Sequence, residues 1–344
     1  MVSVADIEAA GGGNVKPEIG GGGGPMTGPP AKGRGFGAVI AGFPGTGPKS
    51  IPTVGTETWH AVVFCHTLCQ FARNGAISQR ATIRERDSHM SLAMFDLEGR
   101  RALITGSSQG IGFALARGLS TAGCEVVLNG RDRRKLADAA ATLEAEGAAV
   151  HQLGFDATDH PAARAAVDGF EAATGAIDIL VKNAGMQHRA PLEDFPPEAF
   201  EQLLRTNISS VFNVGQACAR HMIERGAGKI INIASVQTAL ARPGIAPYTA
   251  TKGAVGNLTK GMATDWARFG LQCNAIAPGY FDTPLNAALV ADPAFTAWLE
   301  KRTPAGRWGN VEELVGACIF LASAVSSFVN GHILYVDGGI TASL

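Results

Sequence analysis

The sequence predicts an α/β fold in which one parallel sheet of seven strands is covered by helices on both faces. From about residue 95 onward, short apolar runs alternate with longer amphipathic stretches. That alternation is typical of a doubly wound, Rossmann-type sheet. A glycine-rich turn follows the first apolar run, at the place where such sheets bind a nucleotide.

The predicted elements follow one another in regular order. Strands are predicted at residues 101–105, 125–128, 150–155, 179–183, 229–233, 271–277 and 332–336. Helices are predicted at residues 111–122, 133–146, 161–174, 198–224, 248–268 and 311–321. Residues 282–308 are interrupted by prolines and are predicted to form an irregular lid. Because ligands bind beyond the carboxyl ends of parallel strands, residues that follow a strand are the first site candidates.

The first 90 residues differ from the rest of the chain. They contain glycine homopolymers at residues 11–13 and 20–24, together with scattered prolines. A segment of this composition buries too little apolar surface to offset its chain entropy. We therefore predict a disordered extension over residues 1–90 and one folded domain over residues 91–344. Met90 and Met94 are candidate native start sites.

The composition excludes several classes of function. The chain of 344 residues has a net charge of −1, which offers no attraction for nucleic acid. We expect no membrane span, because no apolar run approaches the length of about 20 residues that a spanning helix needs. The six cysteines are scattered and form no CxxC pair. This spacing predicts no metal site and favours a reducing compartment such as the cytoplasm.

The glycine-rich turn reads TGSSQGIG at residues 105–112. Small residues let the backbone approach a pyrophosphate, and the following helix offers unpaired N–H groups and a positive dipole end. Because a strand precedes this turn and a helix follows it, the turn predicts a dinucleotide loop. The residues assigned to it are Gly106, Ser108, Gly110 and Ile111.

The end of the second strand bears on the choice of cofactor. An NAD site usually has an acidic residue there, whereas this chain has Asn129, Gly130 and Arg131. A guanidinium favours a 2′-phosphate, so NADP(H) is predicted rather than NAD(H). The alternative is that Arg131 is merely solvated and the cofactor choice is relaxed. Asp156 is predicted beside the adenine, or else as a helix cap.

The stretch from Lys229 to Lys252 carries the residues that point to chemistry. Ser235 lies just past a predicted strand, and a loop leads from it to Tyr248. Lys252 follows four residues later, so a helix would place phenol and ammonium on one face. A phenol has a pKa of about 10, which a neighbouring cation is expected to lower. Such a tyrosine can exchange a proton with an alcohol or a carbonyl.

These motifs occur in one order, together with KNAG at residues 182–185 and Asn207. In this combination the chain from about residue 95 to the end resembles the short-chain dehydrogenase/reductase family. The runs GMQHRAPLEDF and SVQTALARPGIAPYTATKGAV are similar to the branch that interconverts 5-keto-D-gluconate and D-gluconate. Residues 91–344 are therefore interpreted as a domain of this family.

The resemblance implies a role for each matching residue. It implies that Tyr248 is the acid/base, that Ser235 binds the carbonyl oxygen and that Lys252 holds the cofactor ribose. It also implies that Asn207 anchors a water in a proton relay. Further cofactor contacts are implied for Asn183, Gly185, Pro278, Gly279 and Thr283. The family implies a homotetramer as well.

A sugar acid requires a cation for its carboxylate and polar partners for its hydroxyls. Arg189, Gln237 and Arg242 are predicted to supply them, and Arg189 is the favoured cation. For each arginine the alternative is a surface ion pair.

Three positions depart from the pattern of the branch. Lys182 stands where Asn is usual, His188 where Arg is common, and Ala239 where Glu is common. The change at Lys182 is expected to leave cofactor binding intact. The other two keep open a related reductase for another ketone, sugar or 3-oxoacyl substrate. A non-catalytic nucleotide sensor is the alternative from another class, but a sensor would not need Tyr248.

Overall fold

The computed structural model describes residues 93–344. The predicted extension over residues 1–90 and the candidate start at Met90 lie outside the described residues. Within residues 93–344, seven strands form one sheet in the order β3-β2-β1-β4-β5-β6-β7, and every neighbouring pair is parallel. The predicted doubly wound parallel sheet is therefore confirmed.

The strands are short and mostly buried. Their bounds are β1 Arg101–Thr105, β2 Glu125–Leu128, β3 Val150–Gln152, β4 Ile179–Lys182, β5 Gly228–Ile233, β6 Leu271–Pro278 and β7 Ile333–Val336. The strand order reverses between β1 and β4, where Thr105 pairs with Lys182. A crevice opens at such a reversal beyond the carboxyl ends of the strands. The glycine-rich turn and the KNAG segment therefore meet at one edge of the sheet.

Helices cover both faces of the sheet. Their bounds are α1 Gly110–Thr121, α2 Arg133–Ala145, α3 His160–Ala173, α4 Pro197–Leu204, α5 Ser210–Arg225, α6 Ala246–Trp266, α7 Ala287–Val290, α8 Pro293–Arg302 and α9 Val315–Ala322. Side chains of α1, α2 and α9 pack on one face, and those of α3, α5 and α6 pack on the other. Successive strand residues alternate between the two clusters, with Leu103 in one and Ile104 in the other, as the pleat requires.

Four elements differ from the sequence prediction. The predicted helix over residues 311–321 begins as the 3-10 helix Val311–Leu314, and α9 follows it. β3 ends at Gln152 rather than at residue 155. The lid contains the helices α7 and α8, because prolines at a first helical turn are tolerated. The predicted helix over residues 198–224 is interrupted by a π-helical turn, Arg205–Ser209. Such turns bulge a helix locally and are frequent at functional sites.

Two findings concern the described residues as a whole. No helix within residues 93–344 is long and apolar enough to cross a membrane. In the same part of the chain, no group of three or more His, Cys, Asp or Glu side chains is placed to hold a metal ion.

Candidate active site

A groove of about 860 Å³ runs across the carboxyl ends of β1, β2 and β4. Its lining includes these predicted cofactor residues: Gly106, Ser108, Gly110, Ile111, Arg131, Asp156, Asn183, Gly185 and Thr283. Gly106 and Gly110 have φ values of 63° and 59°, in the left-handed region that favours glycine. A Cβ at Gly112 would overlap the main-chain oxygen of Gly106. The turn therefore needs glycine at these positions.

The groove has the donors that a pyrophosphate requires. Helix α1 begins at Gly110, and its N-cap Gln109 makes no side-chain capping bond within the described part of the chain. By contrast, the aspartates that cap α2, α3 and α8 each accept main-chain hydrogen bonds. The first N–H groups of α1 are thus left for an anion at the positive end of the helix dipole.

Hydrogen bonds hold the two sides of the crevice together. Thr105 Oγ1 accepts bonds from the main-chain N–H groups of Asn183, at 3.0 Å, and Ala184, at 3.1 Å. Asn183 Nδ2 donates to the main-chain oxygens of Thr105, at 3.1 Å, and Gly106, at 2.9 Å. The Asn183 side chain therefore fixes the glycine turn, while its backbone forms part of the groove wall.

Two cations stand at the end of the groove where a nucleotide 2′-phosphate would lie. The Arg131 side chain is 71% exposed, and its Nη1 is 3.7 Å from Asp156 Oδ2. Lys135, which the sequence reasoning missed, lines the groove as well. It lies in the first turn of α2, which begins at Arg133, so its closeness to the end of the second strand was the available signal. The residues present fit NADP(H).

Asp156 is held as a carboxylate. Burial pushes its pKa up, but hydrogen bonds from Thr158 and the nearby Arg131 guanidinium bring its pKa below the usual value. Its Oδ1 accepts bonds from Thr158 N, at 2.9 Å, and Thr158 Oγ1, at 2.8 Å. Asp156 thus shapes the loop after β3 and also faces the groove.

A second, smaller cavity of about 120 Å³ adjoins the groove. Five residues, Ile111, Asn183, Gly185, Thr283 and Leu285, line both spaces. The predicted residues that line this cavity are Ser235, Gln237, Arg242, Tyr248, Lys252, Pro278 and Gly279. The sequence reasoning missed Tyr280, Asn286 and Leu289 in its wall. A cofactor lying in the groove would reach the proton-transfer residues through this junction.

Tyr248 is the acid/base candidate, and burial controls its proton affinity. Burial raises the pKa of Tyr248 to about 12, while its hydrogen bond with Ser235 and the charge of Arg189 pull the pKa down. The sequence reasoning expected a neighbouring cation to lower this pKa. That expectation was wrong for the protein alone, because loss of hydration outweighs the nearby positive charge.

Lys252 lies on the same face of α6 as Tyr248. Its Nζ is 5.7 Å from the centre of the Tyr248 ring and donates a 2.8 Å hydrogen bond to the main-chain oxygen of Ile233. Burial lowers the pKa of Lys252 to about 8. The bond to Ile233 ties α6 to the end of β5, directly before the segment that carries Ser235. It therefore holds the three proton-transfer residues together.

The Asn207 side chain forms hydrogen bonds with two neighbouring residues of the protein. Its Oδ1 accepts a 2.8 Å bond from Met186 N, and its Nδ2 donates to Met186 O at 3.0 Å and to Thr251 Oγ1 at 3.1 Å. Thr251 Oγ1 donates in turn to Tyr248 O at 2.8 Å. Asn207 lies in the π-helical turn, so this turn connects the loop after β4 to the helix of Tyr248. The implied relay water remains a prediction.

Lys182 points away from the cofactor groove. It is 2% exposed, and its Nζ donates to Val211 O at 3.1 Å and to Met262 Sδ at 3.2 Å. Burial lowers the pKa of Lys182 to about 8. A Cβ at Gly215 would come within 2.6 Å of its Nζ. The long side chain therefore fits because residue 215 is glycine, and it leaves the groove untouched.

The two predicted arginines differ in their access to the cavity. Arg242 lines it, and its guanidinium carbon lies 5.4 Å from the centre of the Phe295 ring on α8. Arg189 is exposed, and its Nη2 donates to Gln187 Oε1 at 2.7 Å and to Asn286 Oδ1 at 3.4 Å. Arg242 therefore lies in the cavity wall, whereas Arg189 lies behind Asn286, which lines the cavity.

An aromatic cluster, consisting of Tyr280, Phe295, Trp298 and Trp308, joins the cavity to the lid. The Tyr280 ring lies 5.6 Å from Phe295 and 6.0 Å from each tryptophan. Edge-on and tilted contacts of this kind stabilise an apolar wall. Tyr280 also lines the cavity, so the cluster connects α8 to the cavity wall.

Two of the departures from the family pattern lie away from the cavity wall. His188 packs edge-on against Phe195 with ring centres 5.1 Å apart. Ala239 is exposed and follows the short 3-10 helix Val236–Thr238. Among the described residues neither one lines the cavity.

Comparison with known proteins agrees with this site. A family model described as enoyl-(acyl carrier protein) reductase matches residues 106–341. The chain is 62% identical over 251 residues to gluconate 5-dehydrogenase of Gluconobacter oxydans, covering 73% of this chain and 98% of that protein. It is 49% identical over 251 residues to 5-keto-D-gluconate 5-reductase of Escherichia coli strain K12, covering 73% and 99%.

A solved structure is similar over the same length. A gluconate 5-dehydrogenase from Burkholderia cenocepacia, solved in complex with NADP and tartrate, is 61% identical with a TM-score of 0.73, and the match covers 74% of this chain and all of that one. These matches account together for the glycine turn, the groove and the arrangement of Ser235, Tyr248 and Lys252. The chain belongs to the short-chain dehydrogenase/reductase family.

Proposed function

We propose that this protein is an NADP(H)-dependent oxidoreductase that reversibly converts 5-keto-D-gluconate to D-gluconate. The observation that carries the proposal is the cavity in which Ser235, Tyr248 and Lys252 meet, open to a groove that fits a dinucleotide. A non-catalytic sensor would have no use for a buried phenol at this junction.

The cofactor supplies a hydride to the carbonyl carbon or accepts one from the alcohol. Tyr248 donates its proton to the carbonyl oxygen during reduction and takes it back during oxidation. The Ser235 hydroxyl hydrogen-bonds to the same oxygen and stabilises the charge that develops there. Lys252 holds the cofactor ribose beside Tyr248, and its charge favours the phenolate once the site is filled.

The cofactor preference rests on Arg131 and Lys135. A 2′-phosphate is matched by a guanidinium and an ammonium, whereas the 2′-hydroxyl of NAD(H) is not. The Burkholderia relative was solved with NADP, and a related protein of Beutenbergia cavernae, 37% identical, was solved with NADP at low occupancy. Both support NADP(H) as the working cofactor.

The substrate assignment draws on the relatives and on charge. Those with the highest identities quoted above act on gluconate or its 5-keto form by name. Arg242 and Arg189 offer cations for a carboxylate, which suits a sugar acid better than the uncharged chain of a 3-oxoacyl substrate. His188 and Ala239 lie off the cavity wall, which weakens the case for a different ketone.

One assay tests the proposal. The full chain would be supplied with NADPH and a panel containing 5-keto-D-gluconate, other keto-sugars, simple ketones and a 3-oxoacyl thioester, and NADPH oxidation would be followed. We expect the highest kcat/KM with 5-keto-D-gluconate. A higher value with the thioester would transfer the assignment to a 3-oxoacyl reductase. No turnover of any carbonyl, combined with NADPH binding, would indicate a sensor.

The proposal also includes a domain, an assembly and a location. We infer a catalytic domain over residues 91–344, acting as a homotetramer in the cytoplasm. Phe212 on α5 and Phe328 after α9 are large exposed apolar side chains, which suit burial between subunits. Cys124, Cys218, Cys273 and Cys318 are free thiols, as a reducing compartment favours. Sedimentation equilibrium of the full chain tests the assembly, and mass spectrometry of the native protein tests its start.

A further inference from the structure

Gln237 lines the active-site cavity and has a buried side-chain acceptor without a donor. The residue is 6% exposed, and its side-chain oxygen Oε1 receives no hydrogen bond from the residues that the structure describes. Its main-chain N–H, by contrast, is satisfied by Ser235 Oγ at 3.2 Å. A buried amide oxygen without a donor costs about 1–3 kcal/mol. A buried polar group of this kind requires an explanation, and in the wall of a substrate cavity a donor on the ligand provides one.

The position of this oxygen identifies the donor. Gln237 follows Ser235 by two residues in the 3-10 helix Val236–Thr238, and both residues line the same cavity of about 120 Å³. A carbonyl group that contacts Ser235 and Tyr248 would therefore share this cavity with the Gln237 side chain.

We propose that Gln237 Oε1 accepts a hydrogen bond from a hydroxyl on a carbon next to the reacting carbonyl, and that the enzyme therefore selects α-hydroxy ketones. This inference deepens the proposed function and rests on it, because 5-keto-D-gluconate carries a hydroxyl on both carbons beside its keto group. Arg242 provides a second feature of the same wall, a buried Nε that lacks an acceptor among the described residues. The cavity thus offers one acceptor for a hydroxyl and one donor for a more distant anionic group.

A site built to bind a hydroxyl discriminates strongly against the analogue that lacks it, because the polar group of the protein is then left unpaired. Removing the amide should abolish this discrimination without affecting hydride transfer. Gln237→Met keeps the length of the side chain and removes its polar atoms. Gln237→Glu keeps an acceptor at the same place and serves as the conservative variant.

The test measures kcat/KM for two matched sets of ketones with the full chain and NADPH. The first set is 5-keto-D-gluconate with its 4-deoxy and 6-deoxy forms, and the second is 1-hydroxy-2-butanone with 2-butanone. We expect Gln237→Met to lower kcat/KM about 10- to 100-fold for 1-hydroxy-2-butanone, 5-keto-D-gluconate and one deoxy form. For the other deoxy form and for 2-butanone, kcat/KM should change less than about twofold in this variant. Gln237→Glu should show a smaller loss of kcat/KM than Gln237→Met.

Thr303→Val is the matched control, since Thr303 Oγ1 is another buried polar atom without a partner in residues 93–344 but lines a separate small cavity. Thr303→Val should leave the ratio of kcat/KM between hydroxylated and parent ketones unchanged in both sets. Equal losses for hydroxylated and parent ketones in Gln237→Met, or no loss at all, would overturn the inference. Wild-type preference for 1-hydroxy-2-butanone without turnover of 5-keto-D-gluconate would remove the proposed substrate but keep the role of Gln237. A wild type that reduces neither set would overturn both.

Discussion

The Lys252 ammonium lies 5.7 Å from the centre of the Tyr248 ring, yet the pKa of the Tyr248 phenol is raised to about 12 because the side chain is buried. At neutral pH the phenol of Tyr248 is therefore protonated and can act as an acid. Acting as a base would require added positive charge near the phenol, and a bound oxidised nicotinamide would supply it.

This relationship predicts different pH profiles for the two directions. Reduction uses the protonated phenol, which persists below its pKa, so kcat/KM for the ketone should not fall through ionisation of Tyr248 between pH 6 and 8. Oxidation uses the phenolate, so kcat/KM for the alcohol should rise with pH across this range, by up to about tenfold per unit. Tyr248→Phe should lower both rates by roughly 10³-fold, while NADPH binding measured by fluorescence persists. Oxidation that is independent of pH would exclude Tyr248 as the base.

The glycine turn predicts the outcome of a small substitution. In Gly112→Ala, the new methyl group would overlap Gly106 O and the Asn183 amide, which together shape the pyrophosphate site. We expect NADPH affinity to fall at least tenfold, measured by isothermal titration calorimetry. Gly169→Ala is the control, because a Cβ there meets nothing within 4 Å, and it should bind NADPH as the wild type does.

The two cations of the groove predict the cofactor ratio. Arg131→Ala should raise KM for NADPH about 10- to 100-fold, because one charge-assisted bond to phosphate is lost, and leave KM for NADH nearly unchanged. Lys135→Ala should act in the same direction. Arg134 is exposed and lies outside the groove lining, so Arg134→Ala should preserve the ratio. If the ratio of KM for NADPH to KM for NADH were unchanged in Arg131→Ala, the Arg131 side chain would contact solvent rather than the cofactor.

The two arginines near the substrate predict a graded effect. Arg242→Ala should raise KM for 5-keto-D-gluconate about 10- to 100-fold, with a smaller change in kcat, because a carboxylate loses its charged partner. Arg189→Ala should raise the same KM to a lesser extent, because the Arg189 guanidinium already bonds to Gln187 and Asn286. The opposite order would restore Arg189 as the main carboxylate residue.

Lys182 predicts a pH-dependent stability. Its pKa is about 8 in the folded protein and about 10.4 in an unfolded chain, so the unfolded state holds more protons between these values. The contribution of Lys182 to stability should therefore rise with pH from 8 to 10.4 and be less favourable by roughly 3 kcal/mol below pH 8. Lys182→Met removes this contribution. Urea unfolding at pH 7 and pH 10 should show a smaller difference for the variant than for the wild type, and an equal difference would contradict the prediction.

Sequence reasoning predicted the elements whose signals are local. Strand β1, the turn with Gly106 and Gly110 and the helix of Tyr248 each have a pattern within about 12 residues, and each lies where the pattern placed it. Ser235, Tyr248 and Lys252 could be proposed as catalytic residues because their spacing along the chain is itself the family signal, and the structure places all three in one cavity.

The features that the sequence did not predict depend on how the elements pack against one another. Whether Arg189 or Arg242 reaches the cavity is decided by α7 and α8, which were predicted as irregular. The burial that raises the pKa of Tyr248 is a property of the assembled walls and cannot be deduced from the charge of Lys252. The amide of Gln237 lacks a donor only because the surrounding loops take these particular positions.

The π-helical turn Arg205–Ser209 has a further consequence, which concerns the length of the chain. A helix with a π turn contains one residue more than an α-helix of the same path would hold. Deleting one residue there would let the segment close as a regular α-helix of the same path, so Leu203 and Val211 on either side would stay buried. Such a deletion should leave α4 and α5 in place and remove the hydrogen bonds of Asn207 to Met186 and Thr251, so the extra residue of this turn sets the position of Asn207.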